Sequence, residues 1–272
     1  MIPLRQLKLF EPRDLGDAVR MMSVEAPLAP LAGCTDVYVD LNSGRLGLKR
    51  FINLWSLDEL RQITYRDGVL RIGALATFTT LKKSQLVRKH CPSLAAAAGE
   101  IGGPQIQNRG TLGGNIVSGS PAGDTLPVLA IAEAVLILRS LNGERCVPFL
   151  EFYTGYRKNL LRSDELLVGI EIPLLEGRQW FRKVGTRAAQ AVAKVVFAGL
   201  RGRSPKIALG SVAPTVRRLA ATESCLASGG SLAQAQEILL TEIAPIEDFR
   251  ASVAYRKKVA QNLLAQFWEQ TR

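Results

Sequence analysis

Histidine and cysteine are scarce in this sequence, and their scarcity excludes several kinds of catalytic site. His90 is the only histidine among 272 residues, and there are four cysteines. One histidine cannot build a multi-histidine metal site, and a serine or cysteine hydrolase with a histidine base would depend on His90 alone. The cysteines also lack C-x-x-C spacing, so we expect neither a disulfide framework nor a metal site. They are Cys34, Cys91, Cys146 and Cys225.

Long apolar runs are also absent. The longest nearly apolar stretch, residues 126–138, contains Pro127 and Glu133 and is shorter than a membrane-spanning helix. The first eight residues lack the apolar segment that is typical of a secretory signal peptide. We therefore predict a cytoplasmic protein that has no membrane partner.

The charge balance is strongly basic, with 35 Lys and Arg residues against 24 Asp and Glu and a formal net charge of +11. Such a charge attracts anionic partners, including nucleic acids. The basic residues are dispersed along the chain, however, and aromatic residues make up only 6% of it, so no basic stripe with interleaved stacking side chains is present. We interpret the charge as a solvated or protein-docking surface and expect no nucleic-acid partner.

Short apolar strands alternate with amphipathic helical segments, and this alternation predicts mixed α and β structure. Helical spacing is found over residues 14–22, 77–89, 149–160, 231–240 and 251–268. Strand-like runs cover residues 51–54, 69–74, 134–138, 166–173, 191–200 and 206–212, and the last two suggest an antiparallel sheet. Changes in pattern near residues 55 and 176 divide the chain into segments 1–55, 56–175 and 176–272.

Two stretches of small residues give the clearest sign of a ligand site. The longer one, residues 101–116, contains five glycines, and the shorter one, residues 31–36, reads Leu-Ala-Gly-Cys-Thr-Asp. Glycine lets the backbone approach a ligand closely, and successive N–H groups in such turns can bind an anion. Neither stretch has the G-x-G-x-x-G or phosphate-loop pattern. Two distant loops suit an elongated dinucleotide outside a Rossmann fold, although tight turns between packed elements would give the same pattern.

Residues 109–127, with the sequence RGTLGGNIVSGSPAGDTLP, resemble the signature of the FAD-binding (medium) subunit of molybdenum hydroxylases, the family of xanthine dehydrogenase, carbon monoxide dehydrogenase and aldehyde oxidase. The AGCTD sequence at 32–36 and the segments 53–54, 72–74 and 252–256 fit the same family. The resemblance implies an α+β fold. A two-subdomain FAD-binding region of the PCMH type, which is not a Rossmann fold, would cover residues 1–55 and 56–175. A smaller domain with an antiparallel sheet and helices would follow over residues 176–272.

The resemblance also implies which residues bind the cofactor. The first loop would surround the FAD pyrophosphate, and the second would approach it from the other side. Asp124 would bind cofactor hydroxyls or cap the following helix, and Lys183 would place a cation near the flavin or form an exposed strand charge. The implied cofactor-binding residues are Leu31, Ala32, Gly33, Cys34, Thr35, Asp36, Val37, Ile101, Gly110, Thr111, Gly113, Gly114, Asn115, Asp124, Leu167 and Lys183.

Cys34 departs from the family's usual pattern, which has a second glycine in the first loop. A small side chain is tolerated there if the backbone φ angle is not positive, and otherwise the loop must shift. No neighbouring histidine would activate the thiol. We therefore do not expect Cys34 to be a nucleophile.

In function, the resemblance implies an oxidoreductase subunit with no catalytic residues of its own. A molybdopterin-binding large subunit would oxidise the substrate, and an iron–sulfur small subunit would pass electrons to the FAD of this chain, for delivery to NAD⁺ or another acceptor. Two alternatives stay open. One is a stand-alone flavin-dependent reductase of related fold, and the other is a flavin-free assembly subunit, which only Cys34 favours.

Overall fold

The computed structural model describes residues 6–45, 47, 49–188 and 190–272. Helices and sheets are mixed along the whole chain, which confirms the α+β prediction. In the part of the chain that the structure describes, no helix combines the length and the apolar character needed to cross a membrane.

The N-terminal unit is a small parallel sheet packed on a helix. Its elements are β1 (Lys8–Phe10), α1 (Leu15–Val24), β2 (Ala29–Leu31), α2 (Thr35–Asn42) and β3 (Arg50–Asn53). The strand order is β1-β3-β2, so β3 is central and its Ile52 is fully buried. Asp14 begins α1 as its N-cap, because its carboxylate accepts the N–H of Asp17 at 2.7 Å. The parallel order brings the end of β2 beside the end of β3.

The second unit contains a five-stranded antiparallel sheet and a layer of short helices. Its strands are β4 (Ile63–Arg66), β5 (Val69–Gly73), β6 (Val135–Ser140), β7 (Gly143–Pro148) and β10 (Leu166–Pro173), with a separate hairpin of β8 (Tyr153–Gly155) and β9 (Lys158–Asn159). Its helices are α3 (Phe78–Lys83), α4 (Gln85–His90), α5 (Pro92–Glu100), α6 (Pro104–Arg109), α7 (Leu112–Ser118) and α8 (Leu126–Ile131).

This central sheet has the order β4-β5-β10-β6-β7, and its central strands β10 and β6 are buried on both faces. Successive side chains of a strand point to opposite faces. Leu136 and Leu138 accordingly join the core that the helices cover, whereas Ile137 joins the core of the N-terminal unit. The sheet therefore fixes the position of the two units relative to each other.

The C-terminal unit is an antiparallel sheet covered by three helices. Its elements are β11 (Arg178–Val184), β12 (Val195–Arg201), β13 (Lys206–Gly210), β14 (Arg217–Arg218), α9 (Ala220–Ala227), α10 (Leu232–Glu242) and α11 (Val253–Gln270). Phe197 and Phe267 lie in the core between this sheet and its helices, with ring centroids 5.5 Å apart. Ala198 and Ala208 on the opposite face pack into the core of the second unit.

The structure differs from the predicted helices in two places. The helix predicted over residues 77–89 is divided at Ser84, whose hydroxyl accepts the N–H of Val87 and begins α4. The prediction of a helix over residues 149–160 is wrong, because a short 3₁₀ turn and the β8–β9 hairpin lie there. Tyr153 and Asn159 donate to carbonyls of α7 at 2.7 and 3.2 Å, and these tertiary bonds override the local helical pattern.

A substitution of Gly199 tests the packing of the C-terminal core. A Cβ on Gly199 would lie 2.5 Å from Cε2 of Phe267, a ring that is fully buried and has no room to move. Gly199→Ala is therefore expected to lower the free energy of unfolding by about 2 kcal/mol through overpacking. Urea denaturation measures the change. Gly155→Ala, where no atom lies within 4 Å of the added Cβ, is the control and should have a much smaller effect.

Candidate functional site

A cavity of about 580 Å³ opens between the N-terminal unit and the second unit. The loop after β2, the start of α2, the segment from α6 to α7 and the first residues of β10 all line it. The structure brings most of the predicted cofactor-binding residues together on its wall. Those that line it are Ala32, Gly33, Cys34, Thr35, Asp36, Val37, Ile101, Gly110, Thr111, Gly113, Gly114, Asn115 and Leu167. Leu31, Asp124 and Lys183 do not line it.

The first loop supplies backbone hydrogen-bond donors. Its helix α2 makes its first helical bond from the N–H of Tyr38 to the carbonyl of Cys34, at 3.0 Å. The first N–H groups of a helix have no acceptor within the helix, and the helix dipole makes this end favourable for an anion. The N–H groups of Thr35, Asp36 and Val37 are of this kind, and all three residues line the cavity. This wall is therefore suited to a phosphate group.

The backbones of the two loops are in direct contact. A Cβ on Gly33 would lie 1.7 Å from the carbonyl oxygen of Arg109 and 3.0 Å from the nitrogen of Gly110. No side chain larger than hydrogen fits there without separating the loops. Gly33 is therefore required because two segments distant in sequence meet at this point.

The second loop contributes to the shape of the cavity wall more than it offers backbone hydrogen-bond donors to a ligand. The N–H of Gly113 donates to the carbonyl of Ala74 at 2.9 Å, and the N–H of Gly114 donates to the hydroxyl of Thr111 at 3.0 Å. Because the Thr111 hydroxyl accepts that bond, its own proton remains able to donate to a ligand. Asn115 accepts from the hydroxyl of Thr125 at 2.6 Å, which leaves its amide NH₂ as the donor for a ligand.

Several residues of the cavity wall were missed by the sequence analysis. Phe78 and Leu75 add buried apolar surface beside Ile101 and Leu167. They lie close to the second loop only in space, so neither motif could reveal them. Ile106, Val117 and Ser118 lie within the glycine-rich stretch and its signature but were not singled out. The other additional wall residues are Pro30, Asp40, Leu54, Ala74, Arg157, Leu161 and Leu166.

Arg157 brings a positive charge to the polar part of the wall. Its φ angle is +53°, a strained conformation that holds it at the turn of the β8–β9 hairpin. It makes no ion pair with any other residue that the structure describes. The acidic residues nearby have partners, because Asp36 accepts from Ser118 and Asp40 pairs with Arg45 at 3.4 Å. Arg157 therefore favours an anionic ligand.

Asp124 and Lys183 form a buried ion pair behind the cavity wall. Their charged atoms are 2.6 Å apart, and each side chain is only 6% exposed. Lys183 also donates to the carbonyl of Glu100 at 3.0 Å, next to Ile101. Burial raises the pKa of Asp124 to about 6, although the Lys183 cation opposes the shift. Lys183 therefore links β11 of the C-terminal unit to the segment before α8, through Asp124, and to the end of α5, through the carbonyl of Glu100.

One alternative prediction for Asp124 and one for Lys183 are wrong. Thr125, not Asp124, is the N-cap of α8, and the buried side chain of Lys183 is not an exposed strand charge. The Oδ1 atom of Asp124 is buried and has no hydrogen-bond partner. Buried polar atoms are nearly always satisfied, so this oxygen is an exception. Because Asp124 does not line the cavity, its bond to a cofactor hydroxyl stays a prediction.

Cys34 has the backbone conformation in which glycine is favoured. Its φ angle is +62°, and its thiol donates weakly to the carbonyl of Ala32 at 3.6 Å. Burial raises the pKa of the Cys34 thiol, although the Arg109 cation opposes this. The protonated thiol is a poor nucleophile. Within the ranges that the structure describes, no group of three or more His, Cys, Asp or Glu residues could hold a metal ion.

Comparisons with known proteins agree with this geometry. Residues 5–175 match the family described as the FAD binding domain in molybdopterin dehydrogenase, and residues 178–271 match the CO dehydrogenase flavoprotein C-terminal domain. The chain is 32% identical to the xanthine dehydrogenase FAD-binding subunit of Escherichia coli O157:H7, over 92% of this chain and 90% of that protein. It is 31% identical to the carbon monoxide dehydrogenase medium chain of Hydrogenophaga pseudoflava, over 97% and 96% of the two chains.

Solved structures show the same fold. A carbon monoxide dehydrogenase structure from Hydrogenophaga pseudoflava superimposes with a TM-score of 0.90 at 28% identity, over 98% of this chain and 96% of that one. The reconstituted carbon monoxide dehydrogenase of Oligotropha carboxidovorans gives a TM-score of 0.92 at 24% identity, over 100% and 99% of the two chains, and this match shows the fold alone.

These features define a flavoprotein subunit of the oxidoreductase class. The chain belongs to the FAD-binding subunits of molybdenum hydroxylases, and its cofactor is FAD. The cavity fits that cofactor, because it combines the N–H groups of α2 for phosphate, the close contact at Gly33 and an apolar wall for a planar ring. The resemblance found in the sequence is thus confirmed, while the roles of individual residues stay predictions.

Substitutions of Cys34 test the strain in the first loop. Cys34→Gly removes the side chain that disfavours a positive φ angle, whereas Cys34→Val places a β-branched residue there. We expect the free energy of unfolding of the glycine variant to exceed that of the valine variant by about 1–2 kcal/mol. Urea denaturation of the FAD-free protein measures the difference. Equal stabilities of the two variants would contradict the positive φ angle.

Removing the Lys183 cation should lower the free energy of unfolding by an amount that depends on pH. Lys183→Met leaves the Asp124 carboxyl buried without its partner, and this is expected to cost about 3–5 kcal/mol of unfolding free energy near pH 8. Near pH 5 the same substitution should lower the free energy of unfolding by less. Since the folded pKa of Asp124 lies above its ordinary value of 3.8, a protonated Asp124 stabilises the fold at low pH, and that contribution is lost as the pH rises through the folded value.

Denaturation curves at the two pH values measure the effect. Arg182→Met is the matched control, because Arg182 is the neighbouring residue on β11 and its side chain is exposed. The control should change stability little at either pH. Equal losses for Lys183→Met near pH 5 and pH 8 would show that Asp124 does not titrate in this range.

Proposed function

We propose that this chain carries electrons from an iron–sulfur small subunit through FAD to NAD⁺ or another acceptor. It does so in a complex whose molybdopterin-binding large subunit oxidises the substrate. The observation that carries the proposal is the cavity itself, which joins phosphate-binding N–H groups to an apolar wall. The only carboxylates on its wall among the described residues, Asp36 and Asp40, already have partners. Among the described residues, the wall therefore offers no free carboxylate, which fits a chain that holds a redox cofactor and leaves the chemistry to it.

Bound FAD supplies the exchange of electrons, and the chain's own residues place it. The N–H groups of Thr35, Asp36 and Val37 would hold the pyrophosphate, with the hydroxyl of Thr111 as a further donor. Ile101 and Leu167 would cover the flavin ring and exclude water from it. The second loop would fix the cofactor by shape, because its backbone donors are used within the protein.

Exposed apolar side chains support a partner surface around the cavity. Tyr38 is 64% exposed and Val39 is 56% exposed on α2, while Tyr156 is 60% exposed on the β8–β9 hairpin. Both elements contribute residues to the cavity wall. Large exposed apolar groups on elements that line one cavity suit a surface that a partner chain covers. A partner chain that delivers electrons would dock here, and the complex would work in the cytoplasm.

The two alternatives lack support from the site. A stand-alone reductase would need a substrate-facing acid, and the carboxylates of the wall are already hydrogen-bonded or ion-paired. A flavin-free assembly subunit is contradicted by the FAD-binding family to which residues 5–175 belong.

Purification of the native complex tests the proposal. We expect the chain to co-purify with two partner chains, one with iron–sulfur clusters and one with a molybdenum cofactor, and to release FAD on denaturation. After anaerobic reduction, mixing with NAD⁺ or a dye acceptor should restore the absorbance of oxidised flavin. Rapid-mixing spectroscopy follows this step. A chain that purifies alone and reduces small acceptors with NADH would instead favour a stand-alone reductase.

A further inference from the structure

Trp55 stacks with two guanidinium groups close to the point where the two loops of the cavity meet. The guanidinium carbon of Arg109 lies 3.8 Å from the centroid of the Trp55 ring, and that of Arg61 lies 4.1 Å from it. A cation over an indole face within about 6 Å is attracted by the ring's electron density. None of these three residues belongs to the cavity wall.

Trp55 is fixed to the strands that lead into the first loop. Its N–H donates to the side-chain oxygen of Asn53 at 3.0 Å, and the preceding residue, Leu54, donates to the carbonyl of Leu31 at 2.9 Å. Leu31 is the last residue of β2 and directly precedes the loop. The position of the Trp55 ring is therefore set by the same backbone that begins the first loop.

Arg61, which lies just before β4 of the second unit, also contacts the Trp55 ring. It donates to the carbonyl of Trp55, and its Nε donates to the carboxylate of Asp58 at 3.2 Å. Its side chain is 26% exposed. These bonds keep Arg61 in place whether or not Arg109 is present.

Arg109 connects this cluster to the second loop. Its carbonyl oxygen is the atom that a Cβ on Gly33 would overlap, so its backbone forms the contact between the loops. Its guanidinium makes no ion pair with any residue in the described part of the chain, and Trp55 is the ring on which it stacks. The side chain and the backbone of Arg109 thus both contact the N-terminal side of the junction, the first at Trp55 and the second at Gly33.

We propose that Arg109 and Trp55 are positioning residues that set the separation of the two FAD-binding loops. The stack of Arg109 on Trp55 holds the end of α6 against the segment after β3, which is hydrogen-bonded to the end of β2, and so maintains the contact at Gly33. Without the stack the loops separate, and FAD must order them when it binds. This ordering weakens the affinity without removing any group that touches the cofactor. The inference depends on FAD binding alone and not on the electron donor or acceptor.

Removal of either member of the stack should therefore weaken FAD binding to a similar extent. Arg109→Met keeps the length of the side chain but removes the cation, and Trp55→Leu removes the ring. Each is expected to raise the Kd for FAD about tenfold, or about 1.4 kcal/mol, because the loss of the cation–π contact must be offset when FAD binds. The double variant should bind FAD about as weakly as either single variant, because both changes break the same contact.

The Kd is measured by titrating FAD into the cofactor-depleted complex and following flavin fluorescence. The visible circular dichroism of the bound flavin reports its placement. Arg109→Lys, which retains a cation over the ring, should bind FAD with an affinity between those of the wild type and Arg109→Met. Arg182→Met, an exposed arginine on β11 outside the cavity wall, is the control and should bind as the wild type does.

Three results would overturn the proposal. One is unchanged affinity in both single variants. Another is weaker binding in Arg109→Met with unchanged binding in Trp55→Leu, because Arg109 would then act on FAD directly. The third is equal affinity for Arg109→Lys and Arg109→Met, a comparison that decides the matter even if Trp55→Leu fails to fold. Wild-type protein that binds no FAD would contradict the cofactor assignment instead.

Discussion

The contact between Gly33 and the carbonyl of Arg109 is the constraint on which the rest of the cavity depends. It joins the loop after β2 to the end of α6, and these segments belong to different units of the fold. The orientation of α2, whose first N–H groups line the cavity, follows from the position of this loop. The contact also sets the position at which α7 begins, because only Gly110 and Thr111 separate Arg109, at the end of α6, from α7. A pocket with donors on one side and a closely fitting wall on the other results from a single backbone contact.

The central sheet makes that contact possible. One face of β6 packs against the helices of the second unit, and the other face packs against α1 and its neighbours. Both cores are therefore fixed to one rigid layer, and the loops at its edge meet in a defined position. The C-terminal unit adds a second attachment behind the wall, where Lys183 binds both Asp124 and the carbonyl of Glu100. A buried ion pair is costly to form, so it contributes more to fixing this arrangement than to net stability.

The sequence was sufficient to predict the mixed fold, six of the fourteen strands that the described residues form and the residues of both loops, but several features of the site depend on tertiary contacts. Glycine spacing and small-residue runs are local signals, and they identified the loops. Phe78 and Leu75 could not be identified in this way, because they reach the cavity wall only through the packing of β5 and α3 beside the second loop. Arg157 was missed for a related reason, since the hydrogen bonds of Tyr153 and Asn159 to α7 replace the predicted helix with a hairpin.

The different roles of the two loops also explain why a cysteine is tolerated at a position whose backbone conformation favours glycine. The first loop offers its donors through the backbone at the start of α2, so the side chain of Cys34 need not contact a phosphate. The free-energy cost of a cysteine at position 34 comes from its positive φ angle, and this local strain amounts to about 1–2 kcal/mol. At Gly33 the constraint is of another kind, because any side chain there would collide with the backbone of the second loop. Of two adjacent positions with similar sequence character, one therefore accepts substitution and the other does not.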